Sequence, residues 1–377
     1  MTATTIAPHE HGVPALLTSG LRSYSPQDFP EVTVRQETWR FTPIAHLQPL
    51  LEGNAHLSTV TVTAPDGVQV DVQPAAGAPS TSYIPTDRLS AQVWSDASEV
   101  TIITIPRGEV IEEQITVDIS CAQGAGAARV LIVCEQESSS TIAVRHSGPS
   151  VLGSIVLTHL GPASQAKITL VQDMQPGAVA AVYAHHIMDR DAVLRSNVVS
   201  MGGACVRVVP TVDYQGQGAD AELNGICVAG PGEHIEHRCL VDHVVPNCRS
   251  KVTYKNVLTG TEAAPTHTVW IGDVIIHAAA LGTDTYEMNR NLVLGDFARA
   301  DSVPNLEIET GEIVGAGHAS ATGRLDDEQV FYMQSRGIEP HEAKRLIVRG
   351  FFEDLLAPLS SPQIAESVRL RVEGLLA

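Results

Sequence analysis

Residues 100–105 (VTIITI), 129–134 (RVLIVC) and 252–258 (VTYKNVL) decide the fold class. Each segment is short, rich in β-branched side chains and bounded by turn-forming residues, which is the pattern of a strand. The same pattern recurs at residues 168–171, 206–209, 274–277, 292–294 and 306–308. No helix-length periodic segment lies between these strands, so the sequence excludes a doubly wound α/β sheet.

Aromatic residues are scarce in the part of the chain that carries these strands. They make up 4% of the chain, and only Tyr183 and Tyr214 lie between residues 100 and 252. A core with so few rings must be thin and filled by Val, Ile, Leu and Ala. The sequence therefore predicts a mainly β protein with a right-handed parallel β-helix core, and a β-sandwich is the competing interpretation.

The chain divides into three predicted regions. Residues 1–92 form an N-terminal helical region that includes a β-hairpin, since residues 60–62 and 68–72 alternate in polarity around Asp66-Gly67. Residues 93–322 form the β-helix core. Residues 323–377 form a C-terminal helical domain, in which periodic apolar residues predict three amphipathic helices.

Sequence signals mark the ends of the three C-terminal helices. Acidic residues at 326–328 open the first helix and Gly337 ends it. Pro340 opens the second helix, and Ser361 with Pro362 opens the third. The predicted buried stripe of the second helix is Ala343, Leu346, Ile347, Gly350, Phe351 and Leu355, and that of the third is Ile364, Val368, Val372 and Leu375.

The charge balance excludes two classes of partner. The chain has 24 Lys and Arg against 43 Asp and Glu, a net charge of −19. Nucleic acid and anionic membrane surfaces would be repelled. No apolar run reaches the ~18 residues of a membrane span, and residues 1–12 lack the features of a signal peptide. We therefore expect a cytoplasmic protein whose six cysteines are thiols.

Two features of the sequence bear on cofactors. No phosphate-binding Gly-x-x-x-x-Gly-Lys-[Ser/Thr] motif occurs, so we expect the chain to bind no nucleotide itself. The densest group of potential metal ligands is His234, His237, Cys239, His243 and Cys248. On a strand, His237, Cys239 and His243 would share one face, either as metal ligands or as packing residues of the solenoid. The sequence leaves both alternatives open.

Four C-terminal segments resemble, in order, the SufB/SufD family of iron–sulfur cluster assembly proteins. They are residues 290–296 (RNLVLGD), 299–308 (RADSVPNLEI), 318–323 (HASATG) and 327–338 (DEQVFYMQSRGI). The likeness covers about residues 168–356, and residues 37–43 (ETWRFTP) resemble the N-terminal region of SufD members. The resemblance implies a parallel β-helix between terminal helical regions.

Within the family, the residues favour the SufD branch. The essential cysteine of SufB is replaced by Ala298, and the SufB glutamate after the shared histidine is replaced by Ala319. SufD members often have a cysteine two residues before this histidine, where this chain has Ala316. The resemblance makes His318 a metal ligand for a transient iron–sulfur cluster shared with SufB.

The resemblance also implies partners. It predicts a non-catalytic scaffold subunit that pairs with SufB and whose C-terminal helices bind the ATPase SufC. The predicted partner-binding residues are Phe331, Tyr332, Arg336, Gly337, Ile338, Phe351 and Phe352. A homodimer, a flavin on the complex, an independent metal-binding scaffold and a carbohydrate-active β-helix enzyme remain open.

Overall fold

The computed structural model describes residues 20–376, so the first 19 residues of the predicted N-terminal region lie outside the described range. The helices are α1 (Ile44–Leu51), α2 (Arg88–Asp96), α3 (Asp327–Gln334), α4 (Pro340–Leu356) and α5 (Pro362–Leu376), with short 3-10 helices at Pro26–Asp28, Glu37–Trp39 and Ala75–Gly77. The strands are β1 (His56–Leu57), β2 (Thr59–Thr63), β3 (Gln69–Pro74), β4 (Glu99–Ile105), β5 (Ile115–Ser120), β6 (Ala125–Cys134), β7 (Ser139–Gly148), β8 (Val151–Leu160), β9 (Gln165–Met174), β10 (Val179–Met188), β11 (Val193–Gly202), β12 (Cys205–Tyr214), β13 (Asp220–Ala229), β14 (His234–His243), β15 (Arg249–Leu258), β16 (Thr266–Ile276), β17 (Asp284–Val293), β18 (Ala298–Ile308) and β19 (Gly315–Arg324).

These strands form a parallel β-solenoid of about eight turns. The even-numbered strands from β4 to β18 make one sheet and the odd-numbered strands from β5 to β19 make the other, and successive strands within each sheet pair in parallel. Each turn therefore contributes one strand to each sheet. The predicted parallel β-helix is confirmed.

Alternate side chains of both sheets fill the interior. Ile168 and Leu170 on β9 belong to this core, as do Val206 and Val208 on β12. The sharp corners between strands depend on residues with a left-handed backbone. At Gly202, with φ at 76°, a Cβ atom would lie 2.2 Å from the carbonyl oxygen of Met174, so only glycine fits this corner.

Both outer faces of the solenoid are partly covered. Helices α1 and α2 place Leu47, Leu50 and Leu89 on the even-numbered sheet. Helices α4 and α5 cover the odd-numbered sheet, where Phe352 and Val368 pack in a second apolar layer. The core strands are thus buried on two faces, which accounts for their apolar composition.

The predicted N-terminal β-hairpin is wrong in its pairing. β2 and β3 form as strands, but β2 pairs antiparallel with β5 and β3 pairs antiparallel with β4. The two strands therefore lie in different sheets, each at the N-terminal edge of the solenoid. Covering both edges satisfies backbone groups that an isolated hairpin would leave unpaired.

A buried ion network attaches the N-terminal segment to the solenoid. Arg207 on β12 pairs with Glu236 on β14, and both side chains are almost completely buried. Thr42 Oγ1 donates to Glu236 Oε2 at 2.7 Å, and the Arg207 guanidinium lies 4.3 Å from the centre of the Trp39 ring. Arg238 Nη1 adds a second cation 3.2 Å from Glu236 Oε1. The network fixes the segment around Trp39 and Thr42 on the even-numbered sheet.

The three C-terminal helices form where the sequence predicts them. Gly337 follows α3 with φ at 84°, and Ser361 Oγ accepts from the backbone N–H of Ile364 at 3.3 Å. The stripe predicted for α4 is partly wrong, because Leu346 is exposed whereas Val348 and Phe352 are buried. The face of α4 is set by its docking on the solenoid, which apolar spacing alone does not specify.

Among residues 20–376, no helix combines the length and the apolar character needed to cross a bilayer.

Candidate functional site

The C-terminal end of the solenoid is open. β18 and β19 are the last strands of their sheets, and within residues 20–376 each pairs with only one neighbour. Several interior positions of the last turns are polar. We call this set the polar end: Glu287, Asn289, Asn291, Ser302, His318 and Thr322.

Hydrogen bonds fix most of the polar end. Asn291 Nδ2 donates to Ser302 Oγ and to Thr322 Oγ1, each at 2.8 Å. Ser302 Oγ donates to Asn289 Oδ1 at 2.6 Å, and Asn256 Nδ2 donates to Asn291 Oδ1 at 2.7 Å. These contacts link β15, β17, β18 and β19, so hydrogen bonds between strands hold the side chains of the polar end in place.

His318 lies on β19 directly opposite Glu287 on β17. Its side chain is 44% exposed, and its Nδ1 lies 3.7 Å from Glu287 Oε1. The Glu287 side chain is only 1% exposed. Burial, together with the nearby Asp273, raises the pKa of Glu287 to about 9. The accessible imidazole of His318 thus lies next to the buried carboxyl group of Glu287.

The chain offers no accessible thiol at this end. All six cysteines lie within the described residues and all six are buried. Burial raises the pKa of Cys134 and of Cys205 to about 12 each, which disfavours the thiolate that binds metals. Ala298 and Ala316, both only partly buried, lie on β18 and β19. Thiolate ligands for a cluster at the polar end would have to come from another chain.

The second group of candidate ligands lies inside the solenoid. His237, Cys239 and His243 share the interior face of β14, as their spacing predicts, but they pack in the core. His237 Nε2 lies 2.8 Å from Ser200 Oγ, and His243 Nε2 lies 2.9 Å from Ser250 Oγ. Burial lowers the pKa of both histidines to about 3.

The remaining members of that group do not complete a metal site. The His234 Nε2 atom lies 3.5 Å from Glu236 Oε2, within the buried ion network. Cys248 is buried just before β15, with its Sγ 3.5 Å from the carbonyl oxygen of Gly216. No set of three or more His, Cys, Asp or Glu side chains in residues 20–376 is arranged to hold a metal ion. The geometry favours the packing role for these residues.

The predicted partner-binding residues separate into exposed and buried members. Phe331 and Tyr332 on α3 are 70% and 59% exposed, and Arg336 Nη2 donates to the Tyr332 hydroxyl at 2.8 Å. Gly337 is exposed and Ile338 is half-buried, both directly after α3.

The two phenylalanines of α4 differ in exposure from the aromatic residues of α3. Phe351 is half-buried, with its ring centre 5.4 Å from Lys255 Nζ. Including Phe352 in a partner surface was wrong, because this ring is fully buried between α4 and the solenoid. A buried ring offers no area to a partner.

Sequence reasoning missed Glu287. Its neighbours Tyr286 and Met288 give it no recognisable motif. What could have identified it is its place on β17, two residues from Thr285 and two from Asn289. Residues two apart share one face of a strand, so an inward carboxyl group is predicted once the strand register is known.

Comparisons with known proteins identify a matching family and several relatives. The family described as "SUF system FeS cluster assembly, SufBD core domain" matches residues 117–351. The iron–sulfur cluster assembly SufBD family protein Rv1462 of Mycobacterium tuberculosis is 42% identical over 352 residues, which are 90% of this chain and 88% of that protein.

More distant relatives represent both branches of the family. The iron–sulfur cluster assembly protein SufD of Escherichia coli is 28% identical over 192 residues, covering 50% of this chain and 44% of that protein. The iron–sulfur cluster assembly protein SufB of Bacillus subtilis is 24% identical over 297 residues, covering 76% of this chain and 62% of that protein.

Fold and site together define a β-solenoid protein with an accessible histidine at an open, polar end. The matched core domain and the extent of similarity to its relatives place it more narrowly: the chain belongs to the SufB/SufD family of the SUF system for iron–sulfur cluster assembly.

Proposed function

We propose that this chain is the SufD-type subunit of a cytoplasmic SufB–SufC–SufD scaffold, which assembles iron–sulfur clusters and transfers them to apo-proteins. The observation that carries the proposal is the position of His318, which is accessible at the open end of a solenoid whose own cysteines are all buried. Iron–sulfur clusters are held mainly by thiolates. A cluster at His318 therefore needs a partner that supplies cysteine.

The open end supports pairing with a second solenoid. The outer backbone edges of β18 and β19 have no strand partner within the described residues, and such edges favour strand addition or edge-to-edge association. Phe297, Ile308 and Val314 expose apolar side chains beside these strands. A paralogue of the same fold could cover this end and bring its cysteine close to His318.

The chemistry at the shared site follows from the donors. Iron accepts imidazole nitrogen beside thiolate sulfur, so His318 would supply one nitrogen and SufB would supply sulfur. Ala298 and Ala319 carry no side-chain donor atom at the positions where SufB members have a cysteine and a glutamate. The two subunits would thus have unequal roles at the cluster.

The C-terminal helices support a role for an ATPase partner. The exposed rings of Phe331 and Tyr332 provide an anchoring surface outside the solenoid. Lys255 Nζ on β15 lies 2.6 Å from Asp354 Oδ1 and donates to the carbonyl oxygen of Phe351 at 2.9 Å. A movement imposed on α4 by SufC would therefore be passed to the solenoid near its open end.

The proposal is tested by anaerobic affinity purification of the tagged chain from its own cells. The co-purifying subunits are identified, and iron and acid-labile sulfide are assayed in the same sample. We expect an ATPase, a cysteine-bearing paralogue and both elements. A chain that is recovered stable, alone and free of iron would contradict the proposal.

A further inference from the structure

Glu287 carries a carboxyl group that the rest of the molecule leaves without a partner. Its side chain is 1% exposed, and neither carboxyl oxygen makes a hydrogen bond within residues 20–376. Burying such a group without a partner costs stability. An orphaned polar group at a candidate site therefore indicates a functional role.

Along the ladder of β15, β17 and β19, the neighbour of Glu287 that can pair with it is His318. In the ladder of paired residues it lies between Val252, which has no polar side chain, and His318. Across the interior it packs against Gly272, where a Cβ atom would lie 2.3 Å from Glu287 Oε2. Any other residue at 272 would displace the carboxyl group. The side chain is thus held under the imidazole, with His318 Nδ1 3.7 Å from Oε1.

We propose that Glu287 is a positioning residue for His318: its carbonyl oxygen, Oε1, accepts the Nδ1–H of the imidazole and so leaves Nε2 unprotonated as the metal-binding nitrogen. The inference deepens the proposed function and rests on it for the identity of the metal, which is iron delivered to the scaffold. The separation of 3.7 Å is slightly longer than a direct hydrogen bond, and contacts of this kind tighten when the ligand binds.

The physical reason lies in the tautomers of histidine. A neutral imidazole has one N–H and one free nitrogen, and the partner of one nitrogen determines which nitrogen is free for a metal. Unconstrained histidine prefers the proton on Nε2, which would block the nitrogen farther from Glu287. An oxygen acceptor next to Nδ1 reverses that preference and fixes the ring orientation.

The first test uses two substitutions of different chemistry. Glu287→Gln keeps an acceptor oxygen at nearly the same place, whereas Glu287→Met removes it and keeps the volume. The full-length chain is labelled with ¹⁵N-histidine, the His318 signals are assigned by their loss in His318→Gln, and the tautomer is determined from the ¹⁵N shifts at neutral pH.

The expected result is an Nδ1–H tautomer in the wild type and in Glu287→Gln, and a shift towards Nε2–H in Glu287→Met. The methionine variant should be folded and at least as resistant to urea as the wild type, since an apolar group replaces an unsatisfied one. A purely structural role for Glu287 would not move the tautomer. An Nε2–H tautomer in the wild type, or an unchanged tautomer in Glu287→Met, would overturn the inference.

The second test measures iron in the complex purified anaerobically with each variant. Loss of the partner that orients a metal-binding histidine lowers metal affinity by about 10–100-fold, so Glu287→Met should lose iron and Glu287→Gln should retain it. Iron retention in the methionine variant would count against the inference. Failure of the proposed function has a different signature, because His318→Gln itself would then leave the iron content unchanged.

Discussion

The stability of the chain should depend on pH through Glu287. The pKa of this carboxyl group is raised from 4.5 to about 9 in the folded chain, chiefly by burial and further by Asp273 on β16. Between these pH values the folded chain holds a proton that the unfolded chain has released. Stability from this group is therefore fully present below the unfolded pKa and is lost as pH rises towards the folded pKa.

The magnitude follows from proton linkage. One proton of difference changes the free energy of unfolding by about 1.4 kcal/mol per pH unit, so about 2–3 kcal/mol should be lost between pH 6 and pH 8. Glu287→Gln cannot ionise and should not show this loss. The exposed Glu262, changed to Gln, is the matched control and should keep the wild-type slope.

The assay is urea denaturation of the three proteins at several pH values. The stability difference between Glu287→Gln and the wild type should grow steadily with pH. Parallel curves for these two proteins would show that Glu287 is ionised in the folded state, and the description of the polar end would then be wrong.

Two further substitutions test how the terminal regions are attached to the solenoid. Glu236→Gln leaves two buried arginines without their anion and should lower the free energy of unfolding by about 3–5 kcal/mol, whereas Glu37→Gln, in an exposed pair, should cost at most about 1 kcal/mol. Equal losses in urea denaturation would contradict the buried network. Phe352→Ala should cost about 3–5 kcal/mol because it opens a cavity under α4, while Phe331→Ala should leave stability nearly unchanged and weaken capture of the ATPase in a pull-down. A large stability loss in Phe331→Ala together with weaker ATPase capture only in Phe352→Ala would refute the division between buried and exposed rings.

The sequence predicted the solenoid but shortened its strands. Apolar segments such as residues 129–134 marked the middle of each strand, whereas the full strands are mostly ten residues long, as in Ala125–Cys134. The prediction at 129–134 left out the small residues at 125–128, and the prediction at 292–294 left out the interior Asn291, which donates to Ser302 and Thr322. Polar residues that pair inside a solenoid look like loop residues in the sequence.

Long-range pairing explains the errors in the terminal regions. Alternation around Asp66-Gly67 is the same whether β2 and β3 pair with each other or with β5 and β4. In α4, Leu346 and Val348 have equal apolar character, and only docking on the solenoid determines that Val348 is buried. Such choices depend on contacts between residues that are distant in the sequence.

The candidate site could be predicted only in part. His318 was recognised through the resemblance of residues 318–323 to a known family. Glu287 was not, because its relation to His318 depends on the register between β17 and β19, and those residues are 31 positions apart. A single glutamate in a strand gives no local sign that its carboxyl group is buried under a histidine.

The most direct test of the central claim is the cluster content of the complex that contains His318→Gln. The matched control is His159→Gln, because His159 is similarly exposed, at 42%, and lies on β8, far from the open end. Both complexes are purified anaerobically and assayed for iron and sulfide. We expect full subunit recovery in both, with cluster lost only in His318→Gln. Wild-type iron and sulfide in that complex would contradict it.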